Sequence, residues 1–364
     1  MATKGEEESP SFLEALGSLF GSGPKVVRPA FSVYGKLPIY KDFLRHGLAS
    51  QEAQAFRQWL DKGFSRYWDG DPACRDHVIG PHLFSLRFEG LGRRVVGGLW
   101  GSHDQGELRR FPFALFVSVP AGGAFGDLAV LGILGQVAEK ARDLRHALGQ
   151  ASDVQGFYHL VREATLTLRI ERDSAVRERL ARELAGLTVG AFAESLYGEA
   201  AGERWPALLA YLERRRAAAA SGQAGGRAGG APPLACRLGI SGSLPTLCQS
   251  QLWAAVLQGA GEKSRAPFNV LLSWEGEPAG GMVLFERDLR PDDVFAFHPD
   301  PPRADLLEDL RHDVPTRPES PERPSSPAAA AATAASPAFS GGAAWDRPLA
   351  SLLEPGALRA SGGA

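Results

Sequence analysis

Residues 83–119 constrain the fold most. Three segments of strand character, 83–88, 95–100 and 113–119, follow one another through short connections, and this spacing predicts an antiparallel meander, not a doubly wound parallel sheet. The first alternates, with Leu86 and Phe88 on one face and Ser85 and Arg87 on the other. The third, beginning at Phe113, is almost wholly apolar, as expected of a central strand covered on both sides.

Around this meander the chain reads as an α/β protein of the α+β type: a mixed, largely antiparallel central sheet flanked by helices, with disordered termini. Residues 1–29 form a flexible lead-in in which Phe12, Leu13, Leu16, Leu19 and Phe20 suit a short amphipathic helix. Residues 30–216 form a core with a helical block. A strand at 31–34 leads to a turn bracketed by Gly35 and Pro38, and a helix starting near Ser50 carries the stripe Phe56, Trp59, Leu60, Gly63, Phe64 and Tyr67. Helices are expected at 128–146 and 157–164 and through Val176–Leu187, the last capped by Asp173, with a β-like segment at 165–170. A further helix through Trp205 and Leu212 ends in the basic run 214–216, where cations suit a helix C-terminus. Residues 217–233 are a Gly/Ala/Pro linker or long loop. Residues 234–312 are a C-terminal αβ portion completing the same fold, with a short helix expected at 305–311. Residues 313–364 are a disordered Pro/Ala-rich tail whose apolar cluster at 345–353 either docks on a partner or folds back on the body.

Composition narrows the function. Forty basic against 42 acidic side chains give a formal charge of -2, which argues against a generic nucleic-acid binder. The three cysteines, Cys74, Cys236 and Cys248, form no CxxC pair, so neither a disulfide framework nor a zinc finger is indicated, and a reducing compartment fits. The N-terminus opens acidic without a continuous apolar region, so no secretory signal is expected. The apolar stretch 111–138 is interrupted by Pro120, Gly122, Gly123 and Gly126 and carries Asp127, so it reads as strand, turn and helix rather than a membrane span.

Local chemistry suggests no enzyme. His77 and His82 are separated by Gly80-Pro81 and share no helix face, and nothing designates a third metal ligand. His103-Asp104 sits in a turn where polar residues are expected for solvation alone. The chain has no G-x-S-x-G elbow and no phosphate-binding glycine loop, and Ser241-Gly242-Ser243 is an ordinary loop signal. Catalytic residues, cofactor and metal are all read as none. The competing reading is a hydrolase or transferase with a site around Asp42, His46 and His103.

The segment 31–48, FSVYGKLPIYKDFLRHGL, is the most distinctive. Tyr34, Gly35, Lys36, Leu37, Pro38, Asp42, Phe43 and Arg45 resemble the opening motif of the type VI secretion system-associated TagF (ImpM) family. The helix anchors Phe56, Trp59 and Leu60, the segment Arg109 or Arg110, Phe111, Pro112 and Phe113, and the later Ser273, Trp274, Leu289, Pro291, Phe295 and Phe297 extend the resemblance. Ile39-Tyr40-Lys41 departs from the commoner Ser-Arg-Gly of that motif.

The resemblance implies a non-catalytic accessory protein that controls assembly of the secretion apparatus post-translationally. Its partners would be a forkhead-associated scaffold protein and other components of the system, with no nucleic acid and no direct membrane insertion. It would lie in the cytoplasm, or peripherally at the inner-membrane secretion complex. The expected contact residues are Tyr34, Gly35, Lys36, Leu37, Pro38, Asp42, Phe43, Arg45, Arg109, Phe111 and Pro112, with a core role open for the aromatics. A structural assembly factor of the apparatus is the other non-enzymatic alternative.

Overall fold

The computed structural model describes residues 24–70, 74, 77–107, 109–121, 126–220, 235–258, 268–274, 281–298, 307–311 and 345–354. The first half contains β1 (Lys25–Val27), β2 (Ser32–Gly35), β3 (Leu44–His46), α1 (Gln51–Gly70), β4 (His82–Arg87), β5 (Arg93–Trp100), β6 (Phe113–Pro120), α2 (Asp127–Gly149) and α3 (Val154–Glu163). There follow β7 (Leu168–Ile170), α4 (Asp173–Leu184), α5 (Val189–Tyr197), α6 (Ala201–Ala220), β8 (Ala235–Leu238), α7 (Thr246–Gln258), β9 (Asn269–Ser273), β10 (Met282–Phe285) and β11 (Glu308–Asp309). Tight 3-10 turns occupy Pro291–Phe297 and Leu349–Leu353.

One nine-stranded sheet runs in the order β11-β8-β10-β9-β4-β5-β6-β2-β3. Every neighbouring pair is antiparallel except β11 with β8. The meander β4-β5-β6 sits at its centre. The C-terminal portion joins the same sheet through β9, which pairs with β4 at Leu83↔Leu272 and Phe84↔Leu271. Alternation along the strands divides the core. Val33, Leu115 and Val117 face the layer built from α2 and the helices after it, while Tyr34, Ala114 and Phe116 face α1 and Pro291–Phe297.

Helix α1 begins where Ser50 Oγ accepts from the Ala53 amide at 3.2 Å, and its apolar stripe is wholly buried. Trp59 Nε1 donates to the Arg290 carbonyl at 2.7 Å, tying this helix to the C-terminal 3-10 turn.

The centre of the sheet contains a buried guanidinium. Arg94 on β5 is fully buried; it donates to Asp127 Oδ1 at 2.6 Å, to Ser85 Oγ at 3.2 Å and to the Phe268 carbonyl. Burial lowers its affinity for a proton and Asp127 opposes that shift only in part, while the ion pair and the carbonyl bonds satisfy the buried donors. Ser85 is therefore buried instead of solvent-facing as the alternation suggested.

Other expectations shift for identifiable reasons. Asp173 is the first residue of α4 and does not cap it; its carboxylate accepts from the Ala129 amide at 2.7 Å, capping α2 instead. The segment 165–170 contributes only β7, which pairs with β1, so the end of the lead-in is anchored. Helix α6 runs to Ala220, through the basic run and into the range read as a linker. Where a helix was expected at 305–311, the described residues 307–311 contain the short strand Glu308–Asp309: Leu310 is buried and its amide donates to the Arg237 carbonyl at 2.8 Å. The 345–353 cluster folds back. Carbonyls of Trp345 and Arg347 accept from the Gly190 and Val189 amides at 3.0 Å, satisfying the N-terminal donors of α5, and Leu349 and Leu352 are buried. That fold-back overturns disorder for this part of the tail and leaves no free apolar docking peptide there. The proposed helix at 12–20 and the segments 221–233 and 313–344 lie outside the described residues.

Arg94→Met should lower unfolding free energy by about 3–5 kcal/mol in a urea titration, because it strands Asp127 and the Phe268 carbonyl. Leu349→Ala should cost about 2–5 kcal/mol by the same measurement if the tail segment is part of the core.

Candidate partner-binding site

The distinctive segment lies where β2 ends, at one side of the sheet. Gly35 has φ +138, in the region that only glycine adopts readily, and a Cβ there would stand 2.1 Å from the Pro112 carbonyl oxygen. One close backbone contact thus explains a glycine and a proline drawn from two separate motifs. Beside it, Tyr34 stacks on Phe43 with centroids 5.3 Å apart, and Phe111 meets both edge-on, at 5.7 Å and 4.8 Å. The Tyr34 hydroxyl donates to Asp61 on α1. Burial, reinforced by that carboxylate, pushes the phenol above its ordinary range.

Lys36 is buried, at 2 % exposure. Its Nζ is 3.2 Å from Asp104 Oδ2 and 5.0 Å from the centroid of the Phe43 ring. Asp104, also buried, accepts from Arg109 Nε at 2.9 Å and from the Arg109 amide at 3.3 Å. Arg109 in turn donates to the Lys41 carbonyl at 2.7 Å, and the Gln105 amide donates to the Tyr40 carbonyl at 3.0 Å. The 36–45 loop and the 101–112 hairpin loop are therefore clamped through one carboxylate. Desolvation works to raise the Asp104 pKa, but hydrogen bonds from Lys36 and Arg109 prevail and hold it well below the usual carboxylate range.

The eleven sequence-predicted contact residues separate into two groups. Tyr34, Gly35, Lys36, Leu37, Phe111 and Pro112 are buried and cannot meet a partner in this conformation. Lys36 was expected to orient a partner; its charge is spent on Asp104. Pro38, Asp42, Arg45 and Arg109 are exposed, and Phe43 is half-buried with Arg45 5.7 Å from its ring centroid. Lys41 is exposed beside them. Asp42 Oδ1 accepts from the Phe43 amide at 2.8 Å, fixing the local turn. The alternative enzyme set is not joined by any hydrogen bond among the described residues. His46 lies against Tyr158, and His103 Nδ1 bonds to the Asp104 carbonyl at 2.9 Å. No three metal-ligating side chains are suitably grouped among the described residues.

Residues 32–163 match the family model described as TagF N-terminal domain, type VI secretion system-associated. Over these residues the chain is similar to the TagF N-terminal domain. All eleven residues of the candidate site fall within the TagF match, whereas β8–β11 lie beyond it. Among solved structures, PA0076 from Pseudomonas aeruginosa PAO1 is similar at 24% identity with a TM-score of 0.32. That similarity covers 39% of this chain and 65% of the other, less than two thirds of its length. No curated protein matches.

Sequence reasoning missed Asp104, the charge on which the TagF motif lysine depends, because a polar turn ordinarily signals solvation. It also missed Asp61, whose partner Tyr34 lies 27 positions away.

Gly35→Ala should destabilise the fold by at least about 2 kcal/mol, from forced backbone strain plus the Pro112 clash. Because the folded pKa of Asp104 lies below its unfolded value, its contribution is full above about pH 4 and disappears as pH falls toward the folded value. Asp104→Asn should therefore lower the melting temperature at neutral pH and flatten its decline in acid, measured by thermal melts across pH.

Proposed function

We propose that this type VI secretion-associated chain is a non-catalytic accessory protein that controls assembly of the apparatus post-translationally, by docking on a forkhead-associated scaffold protein. The observation that carries this reading is a loop whose foundation is rigid and buried while its charges point outward. Lys36, Asp104 and the Tyr34–Phe43–Phe111 group hold residues 36–45 in place, and Lys41, Asp42, Arg45 and Arg109 are exposed on the two clamped loops, with Arg45 5.7 Å from the half-buried Phe43 ring. Pre-organisation of this kind lowers the entropic cost of association, and the exposed charges provide electrostatic matching. In this reading the buried motif residues act indirectly, by fixing the loop. The protein works in the cytoplasm or at the periphery of the secretion complex; no helix of the described residues is long and apolar enough to cross a membrane.

The test is titration of the purified scaffold protein against charge-reversed variants of the chain. Arg45→Glu and Asp42→Lys should each weaken association at least about tenfold, the scale of turning a rim attraction into repulsion. Their melting temperatures should stay within about two degrees of wild type, as for surface substitutions. Unchanged binding in both variants would remove this loop as the docking surface.

A further inference from the structure

Beyond the C-terminal end of α1 lies a cavity that the docking loop does not explain. It has a volume of about 460 Å³, within the roughly 300–1,000 Å³ typical of small-molecule sites. The segment 77–81 forms one wall and is pinned on both sides: the Gly101 amide donates to the Ile79 carbonyl at 2.9 Å and the Trp274 amide to the Pro81 carbonyl at 2.8 Å. Other walls come from the end of β5, from α2, from β8–β10 and from the end of the Pro291–Phe297 turn. The cavity therefore bridges the family-matched part and the strands beyond it.

Five basic side chains line it, His77, His82, His298, Arg145 and Arg237, and no carboxylate does so among the described residues. The His77 and His298 rings are 4.4 Å apart. His77 Nδ1 is 2.8 Å from the Tyr67 hydroxyl, and His82 Nδ1 donates to the Gly80 carbonyl at 2.8 Å, so both rings are oriented through one nitrogen. His82 also meets Phe297 edge-on at 5.0 Å. Arg237 is buried, donating to the Ala296 and His298 carbonyls, and thereby holds His298 at the wall. Arg145 lies over the Trp100 ring at 5.1 Å. Apolar walls carrying clustered cationic and imidazole groups match one ligand chemistry.

We propose that this cavity binds a small organic anion, an apolar body carrying a phosphate or carboxylate, with Arg145 and the three imidazoles facing its charge. The proposal does not depend on the docking loop. Burial lowers the pKa of His82 to about 4, with Arg237 and His77 adding to the effect, and burial together with His298 lowers that of His77. A bound anion favours the protonated rings, so linkage makes affinity rise as pH falls.

The experiment titrates the full chain with phenyl phosphate, benzoate, inorganic phosphate and neutral benzyl alcohol, reading imidazole nitrogen NMR signals and melting temperature. Phenyl phosphate or benzoate should move the His77, His82 and His298 signals and raise the melting temperature, more at about pH 6 than at about pH 8. Which of the two binds more tightly distinguishes phosphate from carboxylate, and response to inorganic phosphate alone would overturn the requirement for an apolar body. Arg145→Gln should weaken binding about tenfold or more, the cost of one charge-assisted hydrogen bond. Val78, 72% exposed where it lines the cavity, provides a second variant that leaves the core untouched: Val78→Trp should obstruct access and weaken binding similarly. The proposal is overturned if the histidine signals stay fixed at about 10 mM organic anion. Equal effects from benzyl alcohol, or wild-type affinity in both variants, overturn it as well.

Discussion

The buried guanidinium of Arg94 joins pieces of the chain that have no local reason to meet. It reaches Ser85 on β4, the Phe268 carbonyl just before β9 and Asp127 at the start of α2. An arginine in an apolar interior is tolerated only when nearly every donor is matched, so its position dictates where all three partners lie. The Arg94 cluster fixes the central β4–β9 pairing, and with it the continuity of the nine-stranded sheet. Helix α2 is located at the same point, and its first amides are completed by Asp173 from α4. Sheet and helical layer are thus joined by polar bonds as well as by apolar area.

The distinctive loop follows a similar logic at smaller scale. Its lysine is drawn inward by Asp104, and its aromatic residues stack below the surface. What is recognisable in the sequence is largely the framework, and what is exposed is a smaller set of charges on the same loops, Lys41, Asp42, Arg45 and Arg109. Residues that define a motif and residues that touch a partner need not coincide, because a contact surface is only as specific as the shape beneath it.

The central meander and the α1 stripe were legible because side-chain periodicity reports directly on burial. Segments that depend on distant backbone partners were not. β11 and the 345–354 turn exist because particular amides, those of Leu310, Val189 and Gly190, lacked acceptors, and no local pattern announces such a need. Charge pairs were obscured for the same reason. Asp104 lies 68 residues from Lys36 in a turn of solvent-like composition, and Asp127 was read only as a charge interrupting an apolar run. The three histidines of the cavity are a further case: Gly80 and Pro81 rule out a shared helix face for His77 and His82, yet the chain bends there and brings both rings to one wall, with His298 supplied from the other end of the fold.

The region that matches the TagF N-terminal domain ends at residue 163, before β9, which pairs with one edge of β4, has been made. Severed there, β4 would expose a bare backbone edge, and α1 would lose the cover provided by Val294, Phe295 and Phe297 over its aromatic stripe. The unit inherited by sequence similarity is therefore smaller than the unit that must fold. The later strands supply the edge pairing and the helix cover that the earlier ones leave open.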